Sequence, residues 1–154
     1  MNRKIILLVD DDYDDAEFFR WAMEGTEETF SVKFVDSGDA ALHLLSELDS
    51  LPDLIILDAG MPKMNGWELL KHIKLDLRFA NVPIIMMATS ARIQGIEQAD
   101  SLGAQAYIVK PSDFYQLKSI MEQLCVGIQT NLDATLETLR STLPESIYTF
   151  NHIQ

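Results

Sequence analysis

The segment 53–66, which reads DLIILDAGMPKMNG, constrains the fold of this chain more than any other. Its apolar run, Leu54 to Leu57, has the length and residue types of a β-strand that is buried on both faces. Asp58 stands where this run meets a loop of glycine, proline and asparagine. The segment therefore predicts a carboxylate at the carboxyl end of a core strand, and in open α/β sheets ligands bind at that edge.

Two further apolar runs also end in charged residues. Three consecutive aspartates follow Ile5 to Val9, and Lys110 follows Ala106 to Val109. Because the carboxyl ends of parallel strands meet at one edge of a sheet, we expect Asp10, Asp11 and Lys110 to lie beside the strand-end carboxylate of the first segment.

Strand patterns alternate with helical patterns along most of the chain. The five predicted strands lie at about 4–9, 31–35, 54–57, 83–89 and 106–109, and an amphipathic pattern of helical spacing follows each of them. In the first of these helices, Asp14 or Asp15 is the expected N-cap. Strict alternation of five strands and five helices predicts an α/β fold with a doubly wound parallel sheet.

The composition changes after Gly127, and we expect a domain at 1–127 and a C-terminal extension at 128–154. The extension is predicted to hold one short helix and a tail, with leucines at positions 132, 136, 139 and 143 forming a narrow stripe. That stripe has two interpretations: it packs back on the domain, or it meets a partner or a second copy in a homodimer.

The charge and cysteine content exclude several classes of protein. With a formal net charge of −12 and only 12 lysines and arginines, a nucleic-acid-binding surface is not expected. The single cysteine, Cys125, excludes an intramolecular disulfide. No apolar run is long enough to span a membrane or to serve as a signal peptide, so the sequence predicts a cytoplasmic protein.

The three clustered carboxylates predict a metal site. Asp10, Asp11 and Asp58 would repel one another by roughly 4 kcal/mol per close pair at an effective dielectric constant near 20. Hard oxygen ligands without histidine or cysteine suit Mg²⁺, which commonly shares its ligand shell with a phosphate. Asp58 could then act as a nucleophile toward a phosphoryl group, while Lys110 supplies further positive charge.

Taken in order, the motifs strand-D-D, strand-D-x-x-M-P-x-x-x-G and strand-K-P resemble the receiver domain of two-component response regulators over about residues 4–124. The resemblance implies the flavodoxin-like strand order 2-1-3-4-5. It also implies that Asp58 is the phosphoacceptor and that Lys110 is the lysine of the family pattern. Asp10 and Asp11 correspond to the acidic pair that binds Mg²⁺.

By the same resemblance, the backbone carbonyl of Gly60 is a third metal ligand and Tyr107 is the aromatic residue that swings inward on activation. Two positions depart from the family. Ala88 stands in register where the family has a serine or threonine, so that either Thr89 or Ser90 takes the role of this hydroxyl or the hydroxyl is missing. Gly60 lacks the side chain that often tunes attack of water on the phosphoryl group.

The expected function is that of a single-domain response regulator. It would accept a phosphoryl group on Asp58 from a histidine kinase or histidine phosphotransfer protein and bind a downstream protein in response. It is not expected to be an enzyme beyond catalysing its own Mg²⁺-dependent phosphorylation and dephosphorylation. One alternative is a receiver-like adaptor that works without phosphorylation. Another, a phosphatase of the haloacid dehalogenase type, would need a second aspartate where Gly60 stands.

Overall fold

The computed structural model describes residues 3–150. The strands are β1 (Lys4–Val9), β2 (Phe30–Val35), β3 (Leu54–Asp58), β4 (Ile84–Ala88), β5 (Ala106–Val109) and β6 (Ile147–Thr149). The α-helices are α1 (Tyr13–Ala22), α2 (Gly38–Glu47), α3 (Gly66–Leu75), α4 (Ile93–Ser101), α5 (Phe114–Gln129) and α6 (Leu132–Thr142). A single 3₁₀ turn, Leu77–Phe79, follows α3. Within 3–150, no helix has the length and apolar character needed to cross a membrane.

The strands form one sheet in the order β2-β1-β3-β4-β5-β6. The first five strands pair in parallel, which confirms the predicted doubly wound sheet and its order 2-1-3-4-5. The sequence analysis expected five strands and five helices, whereas this part of the chain contains six of each. The additional strand, β6, pairs antiparallel with β5 and covers the edge that β5 would otherwise expose.

The central strands are buried on both faces because their apolar runs carry no alternation of polar residues. On β1, Ile6 and Leu8 pack with α1 and α5, while Leu7 and Val9 point to the opposite face and pack with α2 and α3. β3 and β4 are buried along their whole length. The sheet is therefore held rigidly between two helical layers, and its carboxyl edge is a fixed platform.

Side chains at the helix N-termini fix where most helices begin. Asp12 caps α1 by accepting hydrogen bonds from the backbone N–H groups of Asp14 and Asp15, so the expectation that one of those two residues is the cap was wrong. Asn65 caps α3 in the same way. Helix α4 differs, because its N-cap residue, Arg92, makes no capping hydrogen bond through its side chain.

The C-terminal extension packs on the rest of the domain. Helix α5 continues past Gly127 to Gln129, and α6 then folds back so that Leu136 and Leu139 are buried in the core shared with α1 and α5. The structure thus supports the first interpretation of the leucine stripe. The predicted tail forms β6 up to Thr149, and residues 151–154 lie outside the described part of the chain.

Candidate functional site

The site lies at the carboxyl edge of the sheet, where β1, β3 and β5 end. Asp10 directly follows β1, Asp58 is the last residue of β3, and Lys110 directly follows β5. The parallel register places Val9 beside Leu57 and so brings the two acidic strand ends together. The structure therefore brings together the strand-end residues that the sequence predicted would meet.

Lys110 is the centre of an ion-pair network. Its Nζ lies 3.0 Å from Asp10 Oδ2, 2.8 Å from Asp15 Oδ2 and 3.0 Å from Asp58 Oδ1. Burial alone would lower the pKa of Lys110, but its hydrogen bond to Asp15 and the charges of Asp10 and Asp58 outweigh burial and raise the pKa. The ammonium group is therefore held charged by its hydrogen bonds to Asp10 and Asp15, next to Asp58 Oδ1.

The acidic cluster consists of Asp10, Asp11 and Asp58. One carboxylate oxygen from each lies within 4.8 Å of the others. Asp10 and Asp58 are buried, and Asp11 is exposed. Burial raises the pKa of Asp10 to about 6, and the nearby charge of Asp58 adds to this increase, against the opposing effects of the Asp12 backbone N–H and Lys110. Burial and its hydrogen bond to Asp58 likewise raise the pKa of Asp11.

These donors fit a hard divalent cation. The cluster supplies carboxylate oxygens alone, and the ammonium of Lys110 is shared between two of its members, Asp10 and Asp58, and Asp15. Burial is the largest cause of the raised pKa values of Asp10 and Asp11, and the charge of Asp58 adds to both increases. An oxygen-only site with excess negative charge is typical of Mg²⁺ and unsuited to zinc.

The loop after Asp58 is packed tightly against the phosphoacceptor candidate. Gly66, the first residue of α3, donates its backbone N–H to the carbonyl of Ala59 at 3.1 Å. A Cβ added to Gly66 would clash with the Asp58 carbonyl oxygen and lie 2.8 Å from Ala59 Cα. Gly60 differs, since a Cβ added there would have no atom within 4 Å, and its N–H approaches Asp58 Oδ1 at 3.4 Å.

The expected departure from the family pattern at the end of β4 lies at the rim of the site. Ala88 is the buried last residue of β4, and Thr89 is exposed immediately beyond it. Both line a cavity of about 730 Å³ that also contacts Asp58 and Lys110. Thr89 thus borders the cavity from outside the strand, and its catalytic role stays a prediction.

Tyr107 points inward in this structure. Its side chain is 2% exposed, and its hydroxyl donates a hydrogen bond to the backbone carbonyl of Ser90 at 2.8 Å. Its partner across the β5–β6 pair is Tyr148, whose ring centroid lies 6.2 Å away in an edge-to-face arrangement. The C-terminal strand therefore covers the residue that the sequence predicted to be a switch.

The sequence analysis did not assign a role at this site to three residues that the structure places here. Asp15 was considered only as a helix cap, although it pairs with Lys110. Trp67 was given no role at this site, yet it lines the same cavity as Asp58. Tyr148 carried no local signal. For Asp15, the useful signal was its position one helical turn after the first acidic residues, which directs it back toward the strand edge.

The sequence matches the family model of the response regulator receiver domain over residues 6–122. The probable methanogenesis regulatory protein FilR2 of Methanothrix harundinacea is 32% identical over 124 residues, which is 78% of this chain and 80% of that protein. Longer relatives are matched over a smaller share of their length: the chain spans 25% of a probable cyclic di-GMP phosphodiesterase of Vibrio cholerae.

Solved structures agree with the sequence relatives. The phosphorylated cyanobacterial phytochrome response regulator RcpA superposes with a TM-score of 0.77 at 28% identity, covering 84% of this chain and 96% of that one. The bacteriophytochrome response regulator RtBRR superposes with a TM-score of 0.67 at 26% identity. That match covers 99% of this chain and 100% of the other, so the likeness includes α6 and β6.

Proposed function

This chain belongs to the response regulator receiver family, and on that premise we propose that it accepts a phosphoryl group on Asp58. The observation that carries the proposal is the arrangement around this carboxylate. Asp58 Oδ1 lies 3.0 Å from Lys110 Nζ, and Asp10 and Asp11 place carboxylate oxygens within 4.8 Å of it. A nucleophile, a cation and a metal-binding pair therefore converge at one point.

The reaction needs a nucleophile and stabilisation of charge, with little further covalent chemistry from the protein. A carboxylate oxygen of Asp58 would attack phosphorus and form a P–O bond. The bond from phosphorus to the donor nitrogen or oxygen would break, and its electron pair would stay with the leaving group. Lys110, held charged by its three aspartates, would neutralise the transferred oxygens.

We propose Mg²⁺ as the cofactor, held by Asp10, Asp11, Asp58 and the backbone carbonyl of Gly60. When bound, the ion would supply the positive charge that lets an anionic phosphoryl group approach an anionic carboxylate. The support from this chain is the donor set, since Asp10, Asp11 and Asp58 each place a carboxylate oxygen within 4.8 Å of the others and two of the three are buried.

We propose a histidine kinase or histidine phosphotransfer protein as the donor and a downstream protein as the target of the phosphorylated form. The solved structure of the relative RcpA is that of a phosphorylated response regulator, and this supports the proposal. The added charge of about −1.5 to −2 would bias a movable element near the site. Output would then be binding to another protein, so the chain would signal without acting as a conventional enzyme.

Intact-protein mass spectrometry after incubation with acetyl phosphate tests this proposal. We expect a gain of one phosphoryl group in the presence of Mg²⁺ and none in a chelated sample. Asp58→Asn removes the nucleophile and is expected to abolish the adduct, whereas Asp53→Asn, at the opposite end of the same strand, should leave it intact. An adduct that forms equally in Asp58→Asn would contradict the proposal.

One observation favours the alternative of an adaptor that works without phosphorylation. Ala88 offers no hydroxyl at the strand end, and Tyr107 is already inward and covered by Tyr148. A protein of this kind would bind its partner equally well before and after treatment with acetyl phosphate. The absence of any adduct in a folded wild-type sample would favour this alternative.

A further inference from the structure

The phosphoacceptor loop is connected to α4 by a side chain for which the sequence analysis assigned no such role. Trp67, the second residue of α3, donates its indole N–H to the backbone carbonyl of Gly95 in α4 at 3.0 Å. The two residues are 28 positions apart, so this hydrogen bond joins separate elements. Trp67 also lines the cavity that contains Asp58.

The N-terminal end of this connection is tightly packed against Asp58. Gly66, immediately before Trp67, has no room for a Cβ because the Asp58 carbonyl oxygen and Ala59 Cα occupy that space. A shift of the backbone around Asp58 must therefore be transmitted to the start of α3. Well-packed elements pass on such shifts because they cannot absorb them locally.

The far end of the connection is the weakly anchored helix α4. Its N-cap residue, Arg92, makes no capping hydrogen bond through its side chain, and Ala99 is the one residue of Ile93–Ser101 that is buried. Gly95 lies in its first turn, where glycine lowers helix stability relative to alanine. The hydrogen bond from Trp67 is therefore a side-chain contact that holds the first turn of this helix from a neighbouring element.

Gly95 is also the point where Trp67 and Tyr107 converge. A Cβ added to Gly95 would lie 3.0 Å from Trp67 Cζ2 and 3.6 Å from the Tyr107 hydroxyl oxygen. Tyr107 is itself held by Ser90 and by Tyr148. A change at the phosphoacceptor can therefore reach α4 through Trp67 without a hydroxyl at position 88 and without rotation of Tyr107.

We propose that Trp67 is the residue that couples phosphorylation of Asp58 to the position of α4, through its hydrogen bond to Gly95. This inference rests on the proposed function. Trp67 is a positioning residue in this account, since it acts on α4 and not on the phosphoryl group. The route replaces the missing strand-end hydroxyl with a contact made by α3.

Amide hydrogen exchange of residues 93–101 tests the coupling. Wild type, Trp67→Phe and Trp21→Phe would be compared with and without acetyl phosphate and Mg²⁺, and intact mass would give the adduct in each sample. Phenylalanine keeps an aromatic ring but has no N–H. Trp21 lies on α1, is 49% exposed, and serves as the matched control.

We expect phosphorylation to change exchange in residues 93–101 of wild type and Trp21→Phe. Unphosphorylated Trp67→Phe should exchange there about fivefold faster, the factor expected for one net hydrogen bond. On phosphorylation it should gain the adduct but show no further change. Gly95→Ala, which crowds Trp67 while strengthening the helix by a similar amount, should lose the response although its unphosphorylated exchange stays close to that of wild type.

The outcomes separate this inference from the function on which it rests. A phosphorylated Trp67→Phe whose α4 responds as in wild type would overturn the coupling role alone. So would a phosphorylated wild type in which residues 93–101 do not respond. A wild type that takes up no phosphoryl group would overturn the proposed function, and the coupling role with it.

Discussion

The two sides of the sheet edge differ in how closely they follow the pattern of the family. On the acidic side, Asp10, Asp11, Asp58 and Lys110 converge as the pattern requires. On the opposite side, β4 ends in Ala88, and β6 pairs with β5 so that Tyr148 lies against Tyr107. The comparison separates the side proposed to accept a phosphoryl group from the side proposed to respond to it.

This difference has a physical origin. The acidic side is restricted by charge, because Lys110 pairs with the buried carboxylates of Asp10 and Asp58, and its removal would leave both without a cation. The α4 side is restricted only by packing, and packing can be satisfied in several ways. Here Tyr148 covers Tyr107, and Trp67 holds Gly95. The contacts on the α4 side can therefore differ without altering the charged groups on the acidic side.

The largest effect is expected at Lys110, on the acidic side. Lys110→Met should slow phosphorylation by acetyl phosphate on the order of 100-fold, because it removes the cation facing the transferred oxygens. Time courses of the intact mass would measure this rate. Lys118→Met is the matched control, since Lys118 is half-exposed on α5 and pairs only with Glu122 among the described ion pairs. A wild-type rate in folded Lys110→Met would contradict the assignment.

Two glycines test how tightly the acidic side is packed: Gly60, in the loop after Asp58, and Gly66, where that loop meets α3. Gly66→Ala should lower the free energy of unfolding by about 3 kcal/mol, because its Cβ meets the backbone of Asp58 and Ala59. Gly60→Ala should change it by less than about 0.5 kcal/mol, because the space around it is open. Urea denaturation would measure both values, and equal effects would show that the loop is not packed as described.

The raised pKa of Asp10 should make the stability of the metal-free protein depend on pH. Because the folded pKa of Asp10 is raised to about 6, the folded state binds this proton more tightly, and stability should fall as pH rises from about 4 to 6. Asp10→Asn removes this loss and should stabilise the metal-free protein at pH 7 by about 2 kcal/mol. Thermal unfolding in chelator would measure it.

The control for that prediction is Asp39→Asn, which alters an exposed aspartate in the first turn of α2. It should leave the slope of stability between pH 4 and pH 6 unchanged. Added Mg²⁺ should stabilise wild type more than Asp10→Asn, by mass action on the folded state. A wild type whose stability rises through this pH range would contradict the account of Asp10.

The smallest effect is expected on the α4 side. Tyr148→Leu should cost about 1 kcal/mol, because it removes the aromatic pair with Tyr107. It should also free the Tyr107 ring, which NMR would detect as faster ring flipping. Tyr148→Phe keeps the ring and loses only the exposed hydrogen bond to the Glu145 carbonyl, so it should leave Tyr107 unchanged. Equal rates of Tyr107 ring flipping in both variants would contradict the proposal that the Tyr148 ring covers Tyr107.

The sequence was most informative where local patterns decide the structure. Strands β1 and β5 were predicted at their observed bounds, because continuous apolar runs are local signals. Strand β6 was missed because its three residues are too few to form a strand pattern. Its pairing with β5 is also non-local. The same reason hid the ion pair between Asp15 and Lys110.

Borohydride reduction of the phosphorylated protein, followed by peptide sequencing, tests the central claim most directly. An aspartyl phosphate is an acyl phosphate, which borohydride reduces to homoserine, so the modified residue is marked permanently. We predict homoserine at position 58 in the tryptic peptide spanning 34–63, and no modification in the peptide that carries Asp10, Asp11 and Asp12. Modification at any of those three aspartates, with residue 58 unmodified, would contradict the assignment of the phosphoacceptor.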